Sequence, residues 1–337
     1  MGQLGVVAIG RNEGERLQRC LESLAGRAGV IVYVDSGSTD GSAEMARSRG
    51  VEVVPLDLSI PFTAARARNE GFQRLLQVEP AVEFVQFVDG DCEIAADWLE
   101  TAQRELTARP DVAVVCGRRR ERFPTASAYN RLCDMEWNTP IGEAEACGGD
   151  ALMRVAPLKE LGGYRASLIA GEEPELCLRL RQAGWKIVRL DAEMTLHDAA
   201  MTQFGQWWKR NLRAGHAFAE VAWLHRHDNL RMWQREVRGN FIWGLLVPVL
   251  AFLLAPCTYG ASLLLLLLYP VQVYRIFRHR KRQGDSTDAA LSYAVFCVLG
   301  KFPQVSGQVQ FHKNRLFGQQ SALIEYKQPT APVGEPK

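Results

Sequence analysis

Residues 84–93 read FVQFVDGDCE. An apolar run that reads as a buried strand passes directly into two aspartates, Asp89 and Asp91, with Gly90 between them. Two explanations compete for this pattern. A chain reversal uses Asp and Gly because an Asp side chain caps its own turn. Alternatively, two carboxylates one residue apart can hold a hard divalent cation against a diphosphate, as Mg2+ and Mn2+ prefer oxygen ligands. Gly90 would then let a bulky ligand approach the backbone.

Working outward from this stretch, the first 120 residues alternate strand and helix patterns. Strands are expected over 4–10, 29–35, 51–56, 83–91 and 112–121. Between them, Leu17, Cys20, Leu21 and Leu24 recur at helical spacing, TDGSAEMARSRG reads as a helix closed by Gly50, and helices follow over 63–77 and 96–106. Strands joined by helices imply an α/β fold, a mostly parallel Rossmann-like sheet with helices on both faces. Such sheets bind ligands beyond the carboxyl ends of their strands. The residues at those ends are Arg11, Asn12 and Glu13, then Asp35, Ser36 and Ser38, then Asp89 and Asp91.

After residue 125 the alternation fades. Residues 145–164 read as a loop, a short strand and a short helix, 171–184 as a helix stopped by Gly184, and KIVRLDAEMTLHD as a strand ending at His197. From Gly239 to Tyr274 no charged residue or His occurs, a run of 36 residues. One straight helix of that length would measure about 54 Å, against a hydrocarbon core of about 30 Å. PCTYGAS at its middle favours two short membrane helices, roughly 241–256 and 260–274, or a re-entrant hairpin. Arginines flank both ends, which places both flanks on the cytoplasmic side. The stretch 289–302 is too short to cross and is expected to lie on the membrane or the protein. The tail, 328–337, is expected to be disordered. The resulting division is an α/β domain over 1–225, a membrane hairpin with basic flanks over 226–282, an interfacial segment over 283–327, and the tail; the resemblance given below makes the first of these the catalytic domain.

Bulk properties agree with a folded protein. Of 337 residues, 47% are hydrophobic and 23% charged, which excludes a disordered chain, and a net charge of +2 offers no electrostatic case for nucleic acid. The eight cysteines show no CxxC spacing, which suits free thiols in a reducing compartment. The amino-terminal residues lack a signal-peptide pattern, so the start of the chain is expected in the cytoplasm, at the inner membrane.

Other residues could carry chemistry. Glu172, Glu173 and Glu175 begin a helix, where acidic groups complement the dipole; one of them could equally serve as a general base. His197 could ligate metal or be structural. Arg118, Arg119 and Arg120 read as a solvated face or a phosphate contact. Trp207 and Trp208, beside Lys209, Arg210 and Arg213, could anchor at a membrane interface, stack on a sugar or clamp a diphosphate.

In this order, VVAIGRNEGERLQRCLESL, VDSGSTDGS, ARARNEGF, VDGD, CGGDALMR, GEEPELCLRLRQAGWKI and QWWKR resemble the family 2 glycosyltransferases of the GT-A fold, in a membrane-attached bacterial form. The resemblance spans roughly residues 4–220. It implies a nucleoside-diphosphate sugar donor, a UDP-sugar by preference, a divalent cation (Mg2+ or Mn2+) and inversion by direct displacement. Carried over, Ile9, Arg11, Glu13, Asp35, Ser36, Ser38, Arg66, Asn69, Asp89 and Gly90 would hold the donor. Asp89 and Asp91 would hold metal, with Asp91 the closer ligand and His197 joining late. Gly149, Asp150, Trp207, Trp208 and Arg210 would serve the acceptor. Family members carry Glu-Asp as the base motif; Glu172-Glu173 stands here, which makes Glu173 the candidate base and Glu172 the alternative. QWWKR only approximates the motif of processive synthases. The implied acceptor is a glycan or lipid-linked hydroxyl at a membrane, in cell-surface polysaccharide or glycolipid synthesis, with membrane lipids as partners. Two other classes compete. A nucleotidyltransferase would open with a Gly-rich phosphate loop, which IGRNEGERL does not provide, and a non-catalytic membrane scaffold would not need Asp35, Asp89, Asp91 and Glu173.

Overall fold

A computed structural model of the chain describes residues 3–319 and 321–325. The tail expected to be disordered lies outside the described residues. Nine strands form one sheet: β1 (Gln3–Gly10), β2 (Val30–Asp35), β3 (Glu52–Pro55), β4 (Val82–Asp89), β5 (Cys92–Ile94), β6 (Val112–Glu121), β7 (Gly142–Ala144), β8 (Ala151–Arg154) and β9 (Lys186–His197). The helices are α1 (Glu15–Leu24), α2 (Ser42–Ser48), α3 (Ala64–Val78), α4 (Trp98–Ala108), α5 (Ala128–Glu136), α6 (Val155–Glu160), α7 (Glu172–Gln182), α8 (Phe204–Leu224), α9 (Gln234–Phe241), α10 (Val247–Leu253), α11 (Leu268–Arg282), α12 (Thr287–Leu299) and α13 (Lys301–Leu316). The chain forms two compact units, one of Met1–Thr125 with Cys133–Ala200, the other of Ala126–Leu132 with Met201–Tyr326.

In the first unit the strand order is β3-β2-β1-β4-β8-β6-β9-β5, with β7 on β9. β1, β2, β3 and β4 run parallel, as do β6 and β9, whereas β8 runs antiparallel to both β4 and β6. The sheet is the mostly parallel GT-A sheet expected. Val6, Val7 and Ala8 of β1 and Val32, Tyr33 and Val34 of β2 are wholly buried because helices cover both faces. Leu17, Cys20, Leu21 and Leu24 make the buried stripe of α1, and the Thr63 hydroxyl caps α3 by accepting from the Arg66 amide at 3.1 Å.

One strand boundary departs from expectation in a useful way. β4 stops at Asp89 rather than 91, and Gly90-Asp91 form a turn. The cause is the three-residue strand β5, which pairs antiparallel with the end of β9 and sets Cys92 opposite His197. The turn thereby brings Asp91 to His197.

In the second unit, two helical stretches are long and apolar enough to cross a membrane, Gln234–Leu253 and Ala261–Arg282. They exceed the expected 241–256 and 260–274 because the charged flanks continue as helix. Ile242–Leu246 forms a π-helical turn inside the first. The 289–302 stretch forms most of α12, and α13 was not legible in sequence. α13 packs on α8 with almost no spacing, since a Cβ added at Gly307 would lie 2.0 Å from the Leu212 carbonyl oxygen.

Helix α3 sits equally close to the first unit's sheet. A Cβ at Gly71 would fall 2.4 Å from Val7 Cγ1 and 2.8 Å from Val34 Cγ2. Gly71→Ala should therefore wedge α3 from the sheet at a cost of about 1–3 kcal/mol. The check is the thermal midpoint of the detergent-solubilised chain by tryptophan fluorescence, expected to fall by about 2–4 °C per kcal/mol.

Candidate active site

The parallel register aligns the carboxyl ends of three strands. Asp35 lies opposite Gly10, and Ile9 opposite Asp89. The Gly90 amide donates to the Ile9 carbonyl at 2.7 Å, and a Cβ on Gly90 would stand 3.1 Å from that oxygen. Glycine is what lets the chain fold over the end of β1 at this point.

Asp35 is buried and shaped by its own loop. Its Oδ1 accepts from the Tyr33 hydroxyl at 3.1 Å, and its Oδ2 accepts from the Gly37 and Ser38 amides at 3.1 and 2.9 Å. The Ser36 amide donates to Gly10 at 3.0 Å, and the Ser38 hydroxyl accepts from the Asn12 amide at 2.9 Å. These bonds hold the β1 and β2 loops together. The Arg11 guanidinium lies 5.0 Å over the Phe62 ring, and Glu13 pairs with Arg16 at 2.8 Å.

Asp89 is gripped from two sides. Arg68 of α3 reaches Oδ1 and Arg119 of β6 reaches Oδ2, both at 2.8 Å. Burial opposes ionisation of Asp89, but the two guanidinium groups outweigh it and keep its pKa below the usual carboxylate value. Arg68 itself is buried and extends to α7, where its Nη1 meets Glu172 Oε1 at 2.8 Å and Glu173 Oε1 at 2.9 Å. Gly149 makes room for this contact: a Cβ there would sit 2.6 Å from Arg68 Nη2 and 2.9 Å from Asp89 Oδ2. Burial raises the pKa of Glu173, Glu172 adds to the rise, Arg68 counters it, and the net position is about 7.

A second cluster lies on the other side of Asp89. His197 Nε2 is 3.3 Å from Asp91 Oδ2, and its Nδ1 is 3.6 Å from Glu121 Oε2. The Trp137 ring meets His197 edge-on with centroids 4.7 Å apart and also lies 5.3 Å from the Arg119 guanidinium. A carboxylate beside an imidazole, with a second carboxylate behind the imidazole, is a donor set that fits Mg2+ or Mn2+. The Cys92 thiol is close to Asp91 as well, at 3.7 Å, and burial raises its pKa well above the usual thiol value.

Several sequence-expected residues are bonded to these groups or to the backbone around them. Asp150, expected at an acceptor pocket, is wholly buried. Its Oδ1 accepts from the Asp89 amide at 3.0 Å, and its Oδ2 meets the Thr195 hydroxyl at 2.7 Å and Arg119 Nε at 2.9 Å. Asn69, expected at the donor, spends both ends of its amide on the Tyr164 backbone, at 2.7 and 2.9 Å. Arg66 donates to the carbonyls of Asp57 and Ile60. Asp89, expected as a metal ligand, meets one arginine at each oxygen, and with Cys92 and Asp150 it forms a second group of side chains that could hold a cation. Trp207, Trp208 and Arg210 belong to the second unit, on α8. Asp35, Asp89, Asp91, Glu172, Glu173, Gly149 and His197 all belong to the first.

Arg68 and Glu121 were missed as site residues, and Arg119 was read only as part of a solvated face or a phosphate contact, though signals existed. Ala65, Arg68, Phe72 and Leu75 share one buried face of α3, so an arginine stands in the apolar stripe. Arg119 lies near the end of β6, whose last residues pair with β9 up to His197.

Residues 6–162 match the model for Glycosyl transferase family 2. Over that stretch, a little under half of the chain, the sequence is similar to that family. It is 24% identical over 228 residues to Glycosyltransferase AglE of Haloferax volcanii, a match spanning 64% of this chain and 72% of that protein. It is 30% identical over 188 residues to Succinoglycan biosynthesis protein ExoA of Rhizobium meliloti, spanning 52% of this chain and 55% of that protein. Among solved structures, the mannosyltransferase PcManGT from Pyrobaculum calidifontis has the same fold, with a TM-score of 0.65 at 16% identity over 93% of this chain and 88% of that one. The chain thus carries a GT-A sheet with acidic and basic groups gathered at its strand ends.

The arrangement makes Asp150 an internal brace for Arg119. Asp150→Ala would strip a buried guanidinium of one carboxylate, at a cost of about 3 kcal/mol. Thermal unfolding of the solubilised chain should show a midpoint lower by several degrees, whereas an exposed acid such as Glu100 changed to Ala should leave it within a degree or two.

Proposed function

We propose that the chain transfers a sugar, with inversion, from a nucleoside-diphosphate sugar to a hydroxyl of a membrane-associated glycan or lipid. The observation that carries this reading is Glu173, a carboxylate with a pKa of about 7, joined through Arg68 to Asp89 of the strand end. A base whose pKa lies near the working pH can take a proton from an attacking hydroxyl and is half ready to do so at neutrality. Its place in the first turn of α7 fixes the side chain on a regular element, and the helix dipole favours its ionised form.

In this reading Ile9, Arg11, Glu13, Asp35, Ser36 and Ser38 hold the nucleoside at the β1 and β2 loops. Asp89 and Gly90 face the ribose and diphosphate, and Arg68 and Arg119 neutralise charge on the departing diphosphate. Asp91 and His197 would hold Mg2+ or Mn2+, which when bound supplies further positive charge at that group. The PcManGT structure was solved with GDP-Man and Mn2+, so GDP-sugars stand beside the UDP-sugars implied by the sequence motifs. The ExoA name supports a role in cell-surface polysaccharide synthesis. The two apolar helices support attachment to a membrane, and the arginines at their flanks favour a cytoplasmic side for those flanks, in keeping with an inner-membrane enzyme.

The test is release of nucleoside diphosphate from a panel of UDP- and GDP-sugars by the full chain in detergent. Glu173→Gln should cost about 10²–10⁴-fold in turnover while donor-induced thermal protection persists; equal loss of both would remove Glu173 from the base role. Pyrophosphate as product would favour a nucleotidyltransferase instead.

The pH dependence follows from the raised pKa. Glu173 must be ionised to accept a proton, so turnover should climb as pH passes through about 7 and level off above it. The same shift acts on stability with the opposite trend. Folded Glu173 binds a proton that the unfolded chain releases near 4.5, so its contribution to stability declines as pH rises from about 4.5 to about 7. A pH–rate profile without an acidic limb near 7 would contradict the assignment.

A further inference from the structure

The second unit contains a groove of about 580 Å³, lined among others by Arg238, Phe241, Leu245, Val309, Lys313 and Leu316. That volume is in the range of small-molecule sites. Two helical stripes make its walls. Arg238, Phe241 and Leu245 follow one another at helical spacing on α9 and the π-helical turn. Val309, Lys313 and Leu316 do the same on α13. Phe241, Val309, Leu316 and Phe317 are each about half or more exposed, so the apolar wall is open.

Backbone packing creates the groove. A Cβ at Gly244, inside the π-helical turn, would lie 2.3 Å from the Lys301 carbonyl oxygen, so the turn and the start of α13 touch main chain to main chain. The larger side chains on either side stand apart. π-helical turns commonly mark functional positions.

The groove is amphipathic in a particular sense. No acidic residue lines it, and among the described residues neither Arg238 nor Lys313 has a carboxylate partner. Arg238 lies at the charged end of the candidate span Gln234–Leu253, next to Arg235 and Arg231, and the wall of Phe241 and Leu245 continues from it into the apolar part of the span. Cations at the polar end and hydrocarbon beyond them match a molecule with an anionic head and an alkyl tail.

We propose that this groove binds one anionic phospholipid, with its phosphate on Arg238 and Lys313 and an acyl chain along the wall of Phe241, Leu245 and Val309. The inference rests on the reading that the second unit is membrane-attached.

The experiment is native mass spectrometry of the full detergent-extracted chain with phosphatidylglycerol or phosphatidylcholine added. The wild type should retain phosphatidylglycerol at least several-fold better. Arg238→Glu with Lys313→Glu should abolish that preference, and Val309→Trp, which fills the groove, should reduce retention of both lipids. Where the charge reversal lowers the thermal midpoint, Arg238→Gln with Lys313→Gln carries the same test. Equal retention of the two lipids by the wild type, or undiminished phosphatidylglycerol binding by the double variant, overturns the proposal. Sedimentation with cell membranes is scored separately: a chain that sediments with membranes but shows no lipid preference refutes the groove alone, and a chain that stays in the supernatant refutes membrane attachment.

Discussion

One buried guanidinium ties the catalytic unit together. Arg68 meets Asp89 on one side and Glu172 and Glu173 on the other, joining α3, the end of β4 and the start of α7. A buried cation without partners is strongly destabilising, so these elements are committed to one arrangement. Much nearby sequence serves that arrangement. Gly149 leaves space for it, the Tyr164 ring lies 5.7 Å from the guanidinium, and Asn69 fastens the Tyr164 backbone to α3 one residue after Arg68.

The charges do not balance, and the imbalance bears on the chemistry. Arg68 and Arg119 contribute two positive charges, whereas Asp89, Asp150, Glu172 and Glu173 would contribute four negative ones. Burial first and then the neighbouring Glu172 raise the pKa of Glu173, and a proton there removes one excess charge. Asp91 and Glu121 extend the acidity past His197. A site this acidic repels a nucleoside diphosphate unless positive charge accompanies it, which is the physical argument for a divalent cation here. It also explains why two arginines alone would not suffice for a leaving group with several charges.

The fold was legible in sequence because its signals are local. Buried parallel strands are continuous apolar runs, and the helices between them carry clear stripes, as in Leu17, Cys20, Leu21 and Leu24. Pairing direction is not local, and nothing in Ala151–Arg154 announces that this short strand runs against its two neighbours. The same limit governed the site. Asp89 and Asp91 were visible as a pair, yet the turn between them separates their surroundings, one among arginines and the other beside His197. Asn69 and Asp150 stood inside recognisable motifs, and a motif does not distinguish a residue that would touch a ligand from one that holds such a residue in place. Arg68 was overlooked for the complementary reason: inside the apolar stripe of α3 it looked like an interruption, when its position among Ala65, Phe72 and Leu75 is what carries its charge inward.

The second unit follows a different logic. In the first, apolar side chains are hidden and the polar groups at the strand ends are paired. In the second, Leu264, Leu267 and Val271 of the stretch Ala261–Arg282 are more than half exposed, and none of its most apolar window is buried. An apolar face of that extent is unusual on a protein surrounded only by water. Composition alone suggested two spans shorter than a bilayer, because charged residues had been counted as outside the helix. The helices instead continue through Arg235 and Arg238 at one end and Arg275 to Arg282 at the other, where long basic side chains can reach out to headgroups. Helix length and charge placement therefore fit together: in a membrane the apolar segment would meet the hydrocarbon, and the arginines that bound it would meet the phosphates.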